Sequence, residues 1–475
     1  MKRKEHDYLG EMEIDDELYY GIQAVRGTTM SEATGHSIAE DAPLLIYYLA
    51  LIKKASAAAN IRTGGITKET GNAISTACDE IMRGEYDDQF PIDMLTGGGG
   101  VSVHMNMNEV IANRANEILT GHKGCDKVHP NTHVNMGEST NDVIPAATLL
   151  ALHTMLTETA EACSGLYKAA DSKAREWADV VKLGRTCIQD ALPMTFGQEM
   201  SAYASLFKRE AENISELADK CTVLPLGGTA VGTGEGTVTG YTDELYKELT
   251  DMTGCEIRQN ENLFDAFQNA DLYVKISAEL KILAAGISKM SKDLRLLGSG
   301  PRAGIGELVI PSVLPGSSIM PGKINPILPE LMIQVYFLTA GNDLAVTMAA
   351  EEGELDLNVW EAVFIKCLFE SCRLLTKTIP LFADKCIAGL EVNEKKCLEY
   401  AQGSTALAAI ISAVFGYEQG SVIARKASEE GKTVLEAVTE KGLLDPESAA
   451  ELLDPKNMTD PAKMMDSILK IKKIK

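Results

Sequence analysis

The stretch ISAELKILAAGISKMSKDLRLL (276–297) indicates the fold class. Its apolar residues recur at alternating steps of four and three, which places them on one stripe of an α-helix. The stripe consists of Ile276, Leu280, Leu283, Ile287, Met290, Leu294 and Leu297. A second run keeps this alternation with one polar member: Leu331, Val335, Leu338, Asn342 and Ala345. The two runs predict a mainly α protein whose long helices pack as a bundle.

Helical periodicity covers most of the chain. Further long helical stretches are predicted at about 141–178, 188–220 and 355–382. Their apolar faces are too extensive for one chain to cover, so we expect a homo-oligomer. The predicted domains are 1–140, N-terminal and mostly helical; 141–390, the central long-helix bundle; and 391–475, small, C-terminal and helical.

Composition and charge disfavour several kinds of partner. The net charge of −23 over 475 residues disfavours binding to nucleic acid and to anionic membranes. The N-terminus has no apolar core of signal-peptide length, and no uninterrupted apolar run is long enough to span a bilayer. The ten cysteines show no CxxC and no framework spacing, which is typical of reduced thiols. We therefore expect a cytoplasmic protein.

Neither the glycine-rich loops nor the histidines predict a cofactor or a metal. The loops GGGG (97–100) and LGGTAVGTGEGTVTG (226–240) lack the phosphate-loop pattern and the dinucleotide-binding context, so they are expected to permit close backbone approach. His129 and His133 are four residues apart, but Pro130 disfavours a regular helix there and no HExxH is present. We predict a solvated or structural role for both histidines.

Three short polar stretches are candidates for chemistry: ESTND (138–142), GRTCIQD (184–190) and GSSIMPGKINP (316–326). Each is predicted at or near a helix end, where hydroxyl, amide and backbone N–H groups can hold a carboxylate. Helix capping explains any one of them, because Ser, Thr and Asn are favoured caps. Capping needs only one oxygen, however, whereas the third stretch has two serines, a lysine and an asparagine. Together the three would suit a small dicarboxylate.

The third stretch resembles the hallmark GSSxMPxKxNP of the aspartase/fumarase superfamily at every defined position. The resemblance spans nearly the whole chain and implies three domains, a homotetramer with a common helical core, and active sites assembled from three subunits. The other stretches similar to the family are MNMNE (105–109), STND (139–142), GRT and QDA (184–191), LGGTAVGTG (226–234) and SGPRAGIGE (299–307).

The resemblance implies β-elimination from a succinate-like substrate to give a fumaryl product. Ser317 is the implied general base, acting as an alkoxide whose pKa Lys323 and the loop amides would shift. The same amides and the Ser318 hydroxyl would stabilise the aci-carboxylate intermediate. The implied carboxylate-binding residues are Thr186, Lys323 and Asn325 for one group, and Ser139, Thr140 and Asn141 for the other.

The residue after GRT bears on the leaving group. Hydratases of the family place a histidine there, paired with a glutamate, to protonate departing hydroxide. This chain has Cys187 at that position and Glu330 at the position of the glutamate. Ammonia leaves without such an acid, so Cys187 favours elimination of ammonia from L-aspartate to give fumarate. The stretches 189–199 and 346–361 also resemble the ammonia-lyase branch. Hydration of fumarate, as in class II fumarase, is the alternative.

Further positions depart from the family pattern: Val101, His104, Glu138 and Glu235. Val101 lacks a hydroxyl expected to touch substrate, His104 stands for asparagine, and Glu138 stands for glutamine. The two added carboxylates leave open a C–N lyase for a variant amino acid or a cationic amine, as in the family's trimethylammonia-lyase. The other interpretation is neutral drift, with Glu138 facing a basic group of a neighbouring subunit. A structural role, as in lens crystallins, is disfavoured by the intact loop at 316–326.

Overall fold

The computed structural model describes residues 2–474, with side chains described through Lys472. The described chain is mainly helical, which confirms the predicted fold class. The helices are α1 (Ile22–Thr28), α2 (Ile38–Asp41), α3 (Pro43–Thr63), α4 (Lys68–Met82), α5 (Val101–Thr120), α6 (Thr140–Glu176), α7 (Phe196–Lys220), α8 (Tyr241–Thr253), α9 (Leu263–Gln268), α10 (Asp271–Leu297), α11 (Ile327–Glu351), α12 (Glu361–Phe382), α13 (Glu394–Gly403), α14 (Ala408–Phe415), α15 (Tyr417–Glu430), α16 (Val434–Glu440), α17 (Pro446–Leu452) and α18 (Pro461–Ile474).

Short strands accompany the helices and pair in twos. The antiparallel pairs are β1 (Lys2–Asp7) with β2 (Gly10–Asp15), β3 (Val181–Thr186) with β4 (Gln189–Thr195), and β7 (Leu308–Val309) with β8 (Glu391–Val392); the parallel pair is β5 (Val223–Leu224) with β6 (Arg258–Gln259). The N-terminal region is therefore mixed and mostly helical, as predicted.

The chain divides into two compact units, and each is described by itself. The first comprises Met1–Ala160, Glu212–Ile282 and Phe337–Thr376; the second comprises Glu161–Ala211, Leu283–Tyr336 and Lys377–Lys475. The long helices α6, α7, α10, α11 and α12 each contribute residues to both units. The three-domain division along the sequence stays a prediction.

The stripe on α10 is buried throughout, as its spacing predicts. Ile276 is fully buried and Leu297, at the end of the helix, is 6% exposed. Burying each of these side chains contributes roughly 1.5–3 kcal/mol. The stripe therefore places α10 in the core.

The stripe predicted on α11 is only partly covered by this chain. Val335 is buried, but Leu338 is 53% exposed, and Met332 is buried instead. The reason is that α11 is apolar around most of its circumference, so spacing alone cannot select the face that the chain covers. Leu344 and Met348 are exposed on the same helix. A single chain thus leaves a large apolar surface on α11, of the kind that association with another chain covers.

A β-hairpin occupies the region where the sequence predicts the beginning of a long helix. The helix predicted from residue 188 begins only at Phe196, and GRTCIQD lies at the hairpin tip rather than near a helix end. The turn residues Cys187 and Ile188 have φ of 54° and 60°. Two-residue hairpin turns need this left-handed backbone, which Asn and Gly usually supply. Because neither residue is typical of such a turn, the pattern did not indicate a hairpin.

The last helices have the caps that their sequence predicts. Thr433 and Glu436 form a capping box at the start of α16. The Asp445 side chain accepts hydrogen bonds from the first-turn amides of α17. Each cap contributes about 1 kcal/mol to a short helix. The faces that these helices bury form a separate apolar core containing Ile411 and Val434.

Two helices are long and apolar enough, by length and composition, to cross a membrane: α3 and α6. The bent pair Glu394–Gly403 and Thr405–Phe415 also qualifies if it is counted as one span. In the most apolar windows of α3 and α6, 67% and 61% of the residues are buried inside the protein. Lys53 lies within α3, so the criterion of an uninterrupted apolar run did not select that helix.

Candidate active site

Hydrogen bonds between its two ends close the loop 316–326. The Gly316 N–H donates to the Lys323 carbonyl at 2.9 Å, and Asn325 Nδ2 donates to the Gly316 carbonyl at 2.8 Å. A Cβ at Gly316 would lie 2.5 Å from the Asn325 nitrogen, so a larger residue would open the loop. Helix α11 begins at Ile327, directly after the loop, which confirms the predicted helix end.

The Ser317 hydroxyl oxygen accepts hydrogen bonds from two backbone amides of the same loop. The N–H groups of Met320 and Ile319 lie 3.0 and 3.3 Å from Ser317 Oγ. Ser317 is half-buried, whereas Ser318 and Lys323 are exposed. Donors aimed at an oxygen bind it more strongly when it is negatively charged. The loop therefore favours an oxyanion at Ser317.

Thr186 and Cys187 lie at the exposed tip of the β3–β4 hairpin. Next to them, the Arg185 guanidinium donates to both carboxylate oxygens of Glu307, at 2.8 and 3.1 Å. Glu307 is fully buried, so this bidentate pair anchors the base of the tip. Among residues 2–474, no hydrogen bond joins Thr186 to the loop 316–326. These two predicted parts of the site are thus not joined by a hydrogen bond within the described residues of one chain.

Two other predicted positions lie at helix starts. Val101 is the first residue of α5 and follows Gly100, whose φ of 86° requires a left-handed backbone. The Val101 side chain is exposed in this chain. Glu330 lies in the first turn of α11 and pairs with Arg295 at 3.3 Å. The glutamate thus has an arginine as its partner.

The STN triplet (139–141) stands at the start of α6, as predicted, with all three side chains half-buried. Asn141 Nδ2 donates to the Ala230 carbonyl at 2.7 Å. Thr140 Oγ1 is hydrogen-bonded to His104 Nδ1 at 2.8 Å. Both bonds hold side chains in place that would otherwise rotate, which is what substrate positioning requires.

Asp142 positions the triplet, although the sequence analysis assigned it no role. Its buried carboxylate accepts the Ser139 N–H on one oxygen and the Thr229 and Gly227 N–H groups on the other, at 2.9, 2.9 and 3.2 Å. Burial raises the pKa of Asp142 to about 7, and these amide bonds oppose the rise. The sequence feature that could have indicated this role is the position of Asp142, an acidic residue directly after STN at the start of a helix.

Glu138 faces a lysine of its own chain, which corrects the expectation of a basic group from a neighbouring subunit. Lys53 Nζ lies 2.6 Å from Glu138 Oε2 and 2.9 Å from Asn135 Oδ1. The two charged side chains are at most 1% exposed. Burial raises the pKa of Glu138, and the Lys53 ammonium opposes that rise. Because the pair is neutral overall, Glu138 adds no free negative charge beside the triplet.

His104 is the second unusual residue behind the triplet. It is buried, and burial, with a smaller contribution from Lys53, lowers the pKa of its imidazole well below the ordinary value. The ring is therefore neutral. Nδ1 contacts Thr140, while Nε2 has no hydrogen-bond partner among the described residues. Glu235, by contrast, is exposed on the loop 226–240.

His129 and His133 contact each other locally, and a glycine of the loop 226–240 permits close approach of the backbone to a neighbouring side chain. The His129 N–H donates to His133 Nδ1 at 2.9 Å around the π-helical turn Pro130–Val134. A Cβ at Gly228 would lie 2.6 Å from Phe267, so the glycine permits close approach. In the part of the chain that the structure describes, no group of three or more His, Cys, Asp or Glu residues is arranged to hold a metal ion.

A mainly helical fold that presents a serine oxygen to backbone amides in a GSSxMPxKxNP loop defines the class of protein, a helical lyase. A family profile described as Lyase matches residues 10–341, and one described as Fumarase C C-terminus matches residues 405–460. The chain belongs to the aspartase/fumarase lyase family.

Several relatives named aspartate ammonia-lyase are similar over nearly the whole chain. The enzyme from Bacillus sp is 41% identical over 460 residues, covering 97% of this chain and 98% of the relative. That of Helicobacter pylori (strain ATCC 700392 / 26695) is 42% identical with the same coverage. That of Escherichia coli (strain K12) is 39% identical over 462 residues, covering 97% of this chain and 96% of the relative.

Solved structures share the fold. A fumarate lyase:delta crystallin from Brucella melitensis bound to cobalt is 41% identical, with a TM-score of 0.93 over 97% of this chain and 100% of that chain. The class II fumarase from Schistosoma mansoni is 33% identical, with the same TM-score and coverage. These likenesses confirm the fold that the long helices and the family resemblance predict.

Proposed function

We propose that the chain is an aspartate ammonia-lyase that converts L-aspartate into fumarate and ammonia. The observation that carries the proposal is the Ser317 oxygen, held by two loop amides in a family whose aspartate ammonia-lyases match the whole chain. As an alkoxide, Ser317 removes a proton from the carbon beside one carboxylate, and the C–H electrons enter that carboxylate. The resulting aci-carboxylate then forms the C=C bond, the C–N bond breaks, and neutral ammonia leaves with the electron pair.

The doubly charged intermediate needs fixed hydrogen-bond donors. We assign this role to the amides of the loop and to the Ser318 hydroxyl. Lys323, Asn325 and Thr186 hold one substrate carboxylate, and the STN triplet holds the carboxylate near the abstracted proton and the leaving group. Polar groups that are already held by neighbours, as Asn325 is by Gly316, lose little freedom when substrate binds.

The proposed site is completed by association. We propose a homotetramer in which three subunits contribute to each active site. Support comes from the exposed apolar residues Leu338, Leu344 and Met348 on α11, which a monomer leaves in water. We also propose a cytoplasmic location, in line with the reduced cysteines and the net charge of −23.

The proposed reaction is separated from its alternatives by one assay. Formation of the fumarate double bond, followed by ultraviolet absorbance, is expected with L-aspartate and not with malate. Fumarate from malate alone would establish a class II fumarase. Fumarate from neither substrate would exclude both activities and point to a variant amine. The neutral Lys53–Glu138 pair argues against that variant, because a cationic substrate would gain no free carboxylate there.

Replacement of Cys187 by alanine is expected to leave turnover of L-aspartate within about threefold. Ammonia departs as a neutral molecule and needs no acid at the hairpin tip, so the thiol does not take part in the chemistry. Steady-state rates of fumarate formation measure the effect, and Cys125→Ala, another exposed thiol, is the matched control. A hundredfold loss specific to Cys187→Ala would show that the tip supplies an acid after all.

Replacement of His104 by leucine is expected to raise the KM for L-aspartate about fivefold. The leucine side chain has no polar atom to bond Thr140 Oγ1, and one lost hydrogen bond of about 1 kcal/mol corresponds to that factor. The turnover number should change less, because Thr140 positions substrate and does not transfer a proton. His122→Leu, at the surface, is the control. An unchanged KM would show that the bond does not position Thr140.

A further inference from the structure

A cavity of about 120 Å³ lies beside the residues that we propose bind the substrate near its leaving group. Thr140 and Asn141, at the start of α6, line one part of it. Tyr273 of α10 and Glu361 and Phe364 of α12 line another part. The elimination mechanism described above uses none of these last three residues.

Two buried polar side chains in this cavity have an atom that forms no hydrogen bond with the described residues. Glu361 and Tyr273 are each 7% exposed, and neither Glu361 Oε2 nor the Tyr273 hydroxyl has a hydrogen-bond partner among the described residues. Leaving such a group unsatisfied costs roughly 1–3 kcal/mol. A carboxyl group and a phenol in one cavity match a small ligand that both donates and accepts hydrogen bonds.

The charge of the cavity favours a cation or its conjugate base. None of the described residues that line it is a lysine, arginine or histidine, and the exposed carboxylates of Asp265 and Asp271 line it as well. Asp271 is paired with Lys275, which leaves Asp265 as the rim charge without an ion-pair partner among the described residues. The Tyr273 and Phe364 rings, 4.7 Å apart, add aromatic surface that attracts cations.

We propose that this cavity receives the ammonia released by elimination, and that Glu361 protonates it and holds it as ammonium. The inference rests on the proposed function. In this step the O–H bond of the neutral Glu361 carboxyl breaks and an N–H bond forms, which leaves ammonium beside a carboxylate. As ammonium departs, the carboxylate takes a proton from water.

The protonation state of Glu361 suits this step. Burial alone raises the pKa of its carboxyl to about 8, so the neutral acid predominates near neutral pH. Ammonia is a stronger base than a carboxylate and takes the proton. The Tyr273 hydroxyl can donate to the nitrogen lone pair before that transfer. Capture in this form would keep ammonia from adding back to the fumarate double bond.

The reverse reaction, addition of ammonium to fumarate, tests the inference. In Glu361→Gln the KM for ammonium is expected to rise about tenfold, while the KM for fumarate stays within about twofold. Tyr273→Phe should raise the KM for ammonium by a smaller factor of about three. Glu352→Gln makes the same substitution at the surface and should alter neither constant. Equal changes in both constants, or none, would overturn the inference.

The effect of ammonium on thermal unfolding tests binding at this site without catalysis. Ammonium chloride is expected to raise the thermal midpoint of the unchanged protein above that in sodium chloride of equal ionic strength, and to fail to do so in Glu361→Gln. Tetramethylammonium chloride, which has charge but no N–H donors, should give no rise. A rise retained in Glu361→Gln, or absent from the unchanged protein, would refute the site. Absence of fumarate from L-aspartate would instead refute the proposed function, so the two failures are distinct.

Discussion

Replacement of Ser317 by alanine is expected to reduce fumarate formation from L-aspartate at least about a thousandfold. The proton beside a carboxylate is very weakly acidic, so its removal depends on a base of high strength at that position. Ser317 Oγ is the one oxygen of the loop that two loop amides hold, at 3.0 and 3.3 Å. The substitution removes that oxygen and leaves Lys323 and Asn325 in place. The rate constant kcat should carry most of the loss.

Ser312→Ala is the matched control, because this serine is exposed outside the loop and should retain full activity. Both variants should elute from a sizing column as the unchanged protein does, since the Ser317 side chain is not part of a core. A Ser317→Ala variant with undiminished kcat would mean that another group takes the proton. A variant that elutes as a smaller species would show instead that the hydroxyl supports assembly.

The helices could be predicted where the pattern of apolar residues has one interpretation. The α10 stripe has apolar residues on one side and polar residues on the other, so the seven-member pattern identifies the buried face. On α11 the pattern predicted the helix but did not identify its buried face. Leu338 and Leu344 are apolar residues that one chain leaves exposed. The face depends on contacts beyond a single chain, which spacing within that chain does not encode.

The β3–β4 hairpin could not be predicted for a different reason. Cys187 and Ile188 adopt positive φ although this backbone is unfavourable by roughly 1–3 kcal/mol for a residue other than glycine. Their conformation accompanies the pairing of the adjacent strands β3 and β4, and the Arg185–Glu307 pair anchors the hairpin to a segment 122 residues away in the sequence. Local residue preference opposes the turn, so no local rule could have predicted it.

Some residues of the candidate site could be predicted from the sequence and others could not. The loop 316–326 could be found because its residue types exceed what capping needs, and the STN triplet because it matches the family pattern. Lys53 could not, because its partner Glu138 is distant in sequence, and the contact of Asp142 with Thr229 is equally distant. Lys53 also changes the meaning of Glu138, since a carboxylate that looks like added charge in the sequence is neutralised in the structure. Departures from a family pattern thus need their spatial partners before they indicate a new substrate.

Replacement of Lys53 by methionine is expected to lower the free energy of unfolding by about 3–5 kcal/mol. The substitution preserves the length of the side chain but leaves the Glu138 carboxylate buried without its cation. Water cannot reach a group that is at most 1% exposed, so the carboxyl must either stay charged in an apolar environment or bind a proton. The loss should appear as a lower urea midpoint at matched protein concentration.

The loss is expected to grow with pH. Burial already raises the pKa of Glu138, and removing Lys53 removes the main interaction that opposes this rise. The unfolded chain loses the proton near pH 4.3, at the value of an ordinary glutamate, whereas the folded variant keeps it to a higher pH. The variant is therefore most stable below about pH 4.3 and loses about 1.4 kcal/mol for each pH unit until the folded pKa is passed.

The double variant Lys53→Met, Glu138→Gln separates this electrostatic explanation from lost packing. It removes both charges and leaves an amide, as in other members of the family, so most of the stability should return and the added pH dependence should vanish. If the double variant were as unstable as Lys53→Met, shape at position 53 and not charge would set the loss. The urea midpoint of the single variant Glu138→Gln should lie between those of Lys53→Met and the double variant. In Glu138→Gln, Lys53 keeps the Asn135 oxygen as one partner. The order of the three urea midpoints thus shows whether Glu138 is tolerated here only because Lys53 neutralises it.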